Sequence, residues 1–173
     1  EATLGDGLHS LWWNGNPART NTILGPHWHH FAGAAAVRET IGGAEVFFPP
    51  GAFGQTNLAL AERLVAQVAG WVPDGAHVTE FHAGCGAIGL GLLARAGHVT
   101  FNEIAPAALA GLALGLAARP PAERARAAVL PGPAAAHVDA VHGADVVLVD
   151  PPRKGLEAAL LARLVDHPPA RLI

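Results

Sequence analysis

HVTEFHAGCGAIGLGLLARAGHVTFNE, residues 77–103, is the stretch that decides how this chain folds. Val78 to Phe81 is a short β-prone run that leads into Gly84-Cys85-Gly86. Ile88, Leu90, Leu92 and Leu93 then predict an apolar helix that Gly97 stops, and a second strand, His98 to Asn102, carries Glu103 at its carboxyl end. Glycines in the turn let backbone N–H groups come close to a ligand, and a carboxylate ending the second strand can accept hydrogen bonds from ribose hydroxyls. Glu103 stands 19 positions after Gly84, close to the roughly 20 expected of a nucleotide-binding βαβ unit. Gly84, Gly86 and Gly89 spell GxGxxG, which a Gly- and Ala-rich chain also uses for a plain tight turn, so the strand before and the acid after carry the reading. The pattern predicts an adenosine-containing ligand and leaves open whether it is a nicotinamide or flavin dinucleotide or S-adenosylmethionine.

Downstream, Pro106 starts an Ala- and Leu-rich helix to about Arg119, and Pro120-Pro121 ends it. Arg126 to Leu130 reads as a third strand and Gly132 to His142 as a turn and a weak helix. Asp145 to Val149 is a short β-branched run fit for burial on both faces, and it ends in Asp150-Pro151-Pro152-Arg153-Lys154-Gly155. A helix from about Leu156 to Val165 and a strand opening at Ala170 complete the alternation, which right-handed crossovers wind into a doubly wound parallel sheet. Upstream, Thr56 or Asn57 caps a helix in which Leu60, Leu64, Val65, Val68, Ala69 and Val72 repeat at helical spacing. Gln55 sits at its start, as a capping residue or as an amide able to hold a carboxylate. Residues 1–50 carry short runs, Leu8 to Trp13, Thr22 to Leu24, His27 to Phe31, Ala35 to Thr40 and Glu45 to Phe48, which predict a small antiparallel β region preceding a Rossmann-like domain over 51–173. His27, Trp28, His29 and His30 alternate sides on a strand, so they are not read as a metal site. Trp12 and Trp13 are read as small-core and rim residues in preference to a base-stacking platform.

With 173 residues, 51% hydrophobic and 14% charged, the chain is long and apolar enough to bury a sheet core. A net charge of −3 gives no global field for nucleic acid, so any RNA contact must be local. One cysteine excludes an internal disulfide and a four-cysteine metal or iron–sulfur site within these residues. No long apolar run or signal peptide is present, so the expectation is a cytoplasmic protein with no membrane partner. The chain starts at Glu1, contains no methionine, and ends on what reads as the opening of a strand, as expected of a piece of a longer protein.

VLVDPPRKGL, Val147 to Leu156, closely resembles the motif of the RNA uracil-5-methyltransferase family. NTILG at Asn21 to Gly25, AFGQTN at Ala52 to Asn57 and EFHAGCGAIGLGLLA at Glu80 to Ala94 agree with that family in order and spacing. The resemblance implies a class I methyltransferase with S-adenosylmethionine as cofactor and a uridine of tRNA or ribosomal RNA as substrate. It further implies that Gln55 contacts the methionine end of the cofactor, that His82, standing for a Tyr or Phe, lines the pocket, that Gly84 and Gly86 form the turn, that Glu103 holds the ribose, and that Asp150 lies near the transferable methyl. Arg153 and Lys154 read either as a local phosphate contact or as a solvated pair. The chain departs from the family at His82, Cys85 and Ala87, and Pro133 stands where an acid for the adenine is common, with Asp139 the next acid downstream.

C5 of uracil is a poor nucleophile toward a methyl sulfonium, so a thiolate must first add at C6 and a base must later remove the C5 proton. The resemblance places that cysteine and a glutamate base after Ile173. Cys85, in the turn, is a poor candidate for the nucleophile, and this chain alone is expected to bind cofactor without turnover. A methyltransferase acting on an exocyclic amine, which needs no such cysteine, and a non-catalytic cofactor-binding remnant stand as the alternatives.

Overall fold

The computed structural model describes residues 7–19 and 23–173. Two antiparallel hairpins come first. β1 (Ser10–Gly15) pairs with β2 (His27–Gly33), and β3 (Val37–Ile41) pairs with β4 (Ala44–Phe48). Gly42 and Gly43, both at positive φ, make the two-residue turn of the second hairpin, the backbone shape that matches the twist of its strands. Of the short runs predicted as strands, Ile23 and Leu24 instead lie in the β1–β2 connection, and Thr22 lies outside the described residues.

The rest of the chain alternates helix and strand: α1 (Leu58–Trp71), β5 (His77–Phe81), α2 (Gly89–Leu92), β6 (His98–Glu103), α3 (Pro106–Ala118), α4 (Pro121–Arg124), β7 (Ala127–Pro131), β8 (Val146–Val149), α5 (Ala158–Asp166) and β9 (Arg171–Leu172). The five later strands form one parallel sheet in the order β7-β6-β5-β8-β9. The first and fourth of them, β5 and β8, are therefore neighbours, and the direction of winding reverses between them. Both central strands are buried on two sides. Val78, Val146 and Leu148 face a core shared with Val65, Val68, Leu90, Leu112 and the β3–β4 hairpin, while Phe81 and Val147 face Val141, Leu160 and Leu164.

Three expectations are corrected. The helix after the glycine turn is a single turn: Ala94 and Arg95 donate three residues back and Gly97 donates to Ala76, because the chain must return to the start of β5 before β6 can pair beside it. In α1 the buried stripe is Ala61, Val65 and Val68, with Val72 just after it; Leu60 and Leu64, counted with that stripe from spacing, lie on the exposed side. The β7–β8 crossover holds two short 3-10 turns, Ala134–Ala136 and Val138–Val141, in place of a weak α-helix. The Asn57 carboxamide, one of the two caps considered, accepts from the Leu60 amide and starts α1.

Small residues set the helix-to-hairpin distance. A Cβ on Gly111 of α3 would lie 2.2 Å from the Phe47 carbonyl, 2.8 Å from Cys85 Sγ and 2.9 Å from Pro49. Backbone cannot yield as a side-chain tip can, so Gly111→Ala is expected to cost about 1–3 kcal/mol or more. Gly70, inside α1, has open space where a Cβ would stand, so Gly70→Ala is expected to stabilise by up to about 1 kcal/mol. Urea unfolding of the two variants beside the parent chain measures both signs.

Glu80 is a carboxyl 3% exposed in the middle of β5. Its Oε2 has no hydrogen-bond partner among the described residues and lies 2.2 Å from where a Cβ on Gly89 would be. Burial pushes its pKa from 4.5 to about 8; the Gly89 amide opposes this, and the charges of Asp150 and Glu103 add to it. Folded, the group keeps a proton that the unfolded chain has lost. Its stabilising contribution is thus full below pH 4.5 and disappears as pH rises through about 8. Glutamine mimics the protonated form, so Glu80→Gln should match the parent below pH 4.5 and become progressively more stable than it toward pH 9, by at most about 5 kcal/mol. Urea midpoints at several pH values test this, and a pH-independent difference would refute it.

Candidate functional site

The parallel register brings three strand ends into one row. Phe81 pairs with Asn102 on one side and with Val149 on the other, so the next residues, His82, Glu103 and Asp150, stand side by side at the carboxyl edge. This is the edge, beside the reversal of winding, at which open α/β sheets bind ligands.

Glu103 is the best-held of the three. It is 8% exposed. Its Oε2 accepts from the Gly84 amide at 2.8 Å, while Oε1 accepts from the Ile104 and Ala105 amides at 2.8 and 2.7 Å. The carboxylate thus ties the glycine turn after β5 to the first residues after β6. A carboxylate oxygen offers about two lone pairs, so Oε1 is filled and Oε2 keeps one free acceptor position. Gly84 and Gly86 hold φ of +58° and +83°, and a Cβ on Gly84 would meet nothing within 4 Å. The turn therefore presents bare backbone to open space beside that free acceptor.

His82 sits at φ +60°, the single non-glycine residue at positive φ among the described residues, with its Nδ1 buried and unpaired. A left-handed backbone at a histidine costs energy, and such strain collects at functional positions. Asp150 follows β8, its amide 3.5 Å from the Phe81 carbonyl, and its side chain is exposed. The prolines at 151 and 152 fix φ directly after it, which limits the directions its carboxylate can take.

Gln55 lies two residues before the α1 cap in the exposed loop that follows the Pro49–Gly51 turn. Pro49 and Cys85 approach the same point of α3, which sets this turn beside the glycine turn. Arg153 and Lys154 are exposed beyond Asp150. Asp139 faces Arg163 of α5 at 3.4 Å. The Cys85 thiol is 2% exposed, and burial, with Glu103 adding, pushes its pKa up to about 11, so it is held as the un-nucleophilic thiol.

Two residues not singled out from sequence also build the site. The side-chain amide of Asn102 donates to the carbonyls of Leu130 and Gly132 and fixes the β7 end of the crevice. Glu80 lies below the turn as a third carboxyl, and its place as the first residue of the 80–94 motif was the signal that could have flagged it. Two hollows, around Asp74, Asp145 and Arg171 and around His77, His98 and His142, lie at the opposite, amino ends of the strands, away from these groups.

No family model matches the chain. An RNA methyltransferase of unknown specificity from Protochlamydia amoebophila is 34% identical over 165 residues, which cover 95% of this chain and 43% of that protein. The tRNA (uracil(54)-C(5))-methyltransferase of Pyrococcus furiosus is 29% identical over 97% of this chain and 39% of its own length. The crystal structure of the Pyrococcus abyssi tRNA (uracil-54, C5)-methyltransferase, in complex with S-adenosyl-L-homocysteine, superposes with a TM-score of 0.79 at 25% identity, over 98% of this chain and 43% of that one. Trm5b of the same organism shares the fold, with a TM-score of 0.58 at 18% identity over 92% of this chain and 46% of that one. The chain spans about two fifths of the length of the curated relatives it matches. Its sheet order, its glycine turn with a carboxylate on the next strand, and its likeness along nearly its whole length give this chain the class I methyltransferase fold and make it similar to RNA methyltransferases, the tRNA (uracil-54, C5) enzymes among them.

Proposed function

We propose that this chain is the S-adenosylmethionine-binding part of an enzyme that forms 5-methyluridine in tRNA or ribosomal RNA. One observation carries the reading: His82, Glu103 and Asp150 stand in a row beside a glycine turn whose backbone faces open space. The residues fit the group. Glu103 Oε2 has one acceptor position left for a ribose hydroxyl, and the carboxylates of Glu103 and Asp150 favour a ligand bearing a sulfonium and an ammonium. Gln55 is assigned to the carboxylate of the methionine end, His82 to the pocket wall, and Gly84 and Gly86 to the bare backbone under the adenosine. Bound there, the cofactor supplies an electrophilic methyl group.

Asp150 is assigned to the side where methyl and target base meet, with its carboxylate held by the two prolines as an acceptor for an N–H of the base. Cys85 is buried with its proton held on, so the thiolate that must add at C6 of uracil is assigned to another part of the parent protein. The relatives' names and the P. abyssi complex support the cofactor and the RNA substrate for this chain.

Calorimetric titration with S-adenosylhomocysteine is the test, with a saturable one-to-one isotherm expected. Glu103→Ala removes both the ribose acceptor and the clamp on the turn, and affinity should fall at least about tenfold, the value of one charged hydrogen bond. Gly84→Asn, which adds bulk to an open face at a φ of +58° that asparagine tolerates, should weaken binding while the circular dichroism spectrum stays as in the parent. The reading fails if the parent chain shows no saturable heat, or if NAD competes for the same site.

A further inference from the structure

The β1–β2 hairpin turns an aromatic face to solvent. Trp13 is 54% and Phe31 56% exposed. Trp13 pairs with His29 across the strands, and His29 meets Phe31 edge-on with ring centroids 4.6 Å apart. The Trp13 ring lies flat over Gly15, where a Cβ would come within 2.4 Å of it. The opposite side is occupied: Trp12 stacks on His30 with centroids 4.2 Å apart, and Trp28 lies against Gly51. Asn14, through three hydrogen bonds to Gly25 and His27, holds the far end of the ribbon in shape.

Position and charge say what this face suits. Trp28, on the other side of the ribbon, lies against Gly51 of the Pro49–Gly51 turn, which packs beside the glycine turn, so the ribbon is attached next to the crevice. From residue 9 to residue 36 the sequence has no Asp or Glu, yet it holds Arg19 and four of the ten histidines; all 14 acidic residues lie elsewhere. A polyanion thus meets no carboxylate of the ribbon's own sequence here. A partner protein laying an apolar surface on this face would bury the ring nitrogens of His27 and His29 without acceptors, at a cost. Nucleotides bring phosphate and base-edge acceptors for imidazole N–H groups together with flat bases for the rings.

We propose that the outward face of this hairpin, built on Trp13, His29 and Phe31, binds a single-stranded segment of the RNA substrate by stacking bases on its rings. The proposal rests on the RNA-methyltransferase reading for its ligand, and it gives Trp13, expected as a small-core or rim residue and found exposed, a base-stacking role.

The experiment is fluorescence anisotropy of a labelled single-stranded oligouridylate with the chain, run beside calorimetry with S-adenosylhomocysteine. Trp13→Ala with Phe31→Ala should weaken RNA binding at least about tenfold and leave the S-adenosylhomocysteine isotherm unchanged; Trp13→Phe, which keeps a ring, should stay within about threefold. Unaltered RNA affinity in the double variant overturns the proposal, as does a parent chain that binds S-adenosylhomocysteine but no RNA. Conversion of a dimer to a monomer by the double variant, seen by sedimentation, assigns the face to a protein contact and also overturns it. RNA binding that depends on Trp13 and Phe31 in a chain that takes no S-adenosylhomocysteine would uphold the surface and sink the cofactor reading.

Discussion

One carboxylate holds the crevice together. Glu103 accepts three backbone amides from two strand ends, Gly84 after β5 and Ile104 with Ala105 after β6. Those amides end their strands and have no ladder partner, so the acid supplies the acceptor that the sheet does not. The same bonds fix where the glycine turn stands relative to the next strand. The geometry of the turn therefore depends on one side chain, which keeps one acceptor position beyond the three amides.

Around that clamp the crevice is negative in composition and held unevenly. Asp150 is exposed, Glu103 accepts three amides and keeps one acceptor position, and Glu80 lies fully enclosed below the turn with its proton retained near neutral pH. Three adjacent charges in a half-buried site would repel one another, and burial of the innermost removes one of them. What remains is a pair of carboxylates, which suits a ligand with positive charge at its sulfur and amine.

Tight packing is achieved here by subtraction of side chains. Gly111 and Gly115 of α3 lie over the carbonyls of Phe47 and Glu45, and Gly91 of α2 lies over that of Gly42. Helices can thus touch the β3–β4 backbone directly, and Ile41, Ala44 and Val46 join the core under the sheet. The hairpin is tied in again by the Gly42 amide, which donates to Glu62 of α1. The β1–β2 ribbon has no such burial beyond Ala32 and keeps its rings outside.

The sequence by itself determined the alternation of strands and helices, the glycine turn, and the positions of Glu103 and Asp150, because each is written in local signals: apolar runs of strand length, glycines, and prolines directly after an acid. It also carried the family motifs at 52–57, 80–94 and 147–156. Spacing alone could not say which side of α1 is buried, since Leu60 and Val65 satisfy the same helical period and only the place of β3 and β4 chooses between them. Nor could it show that a glutamate inside β5 is sealed off, that Glu103 grips the glycine turn, or that Trp13 stays outside while Trp12 pairs with His30. Those are contacts between residues far apart in the chain or across a strand pair, and only the folded arrangement decides which neighbours each side chain meets.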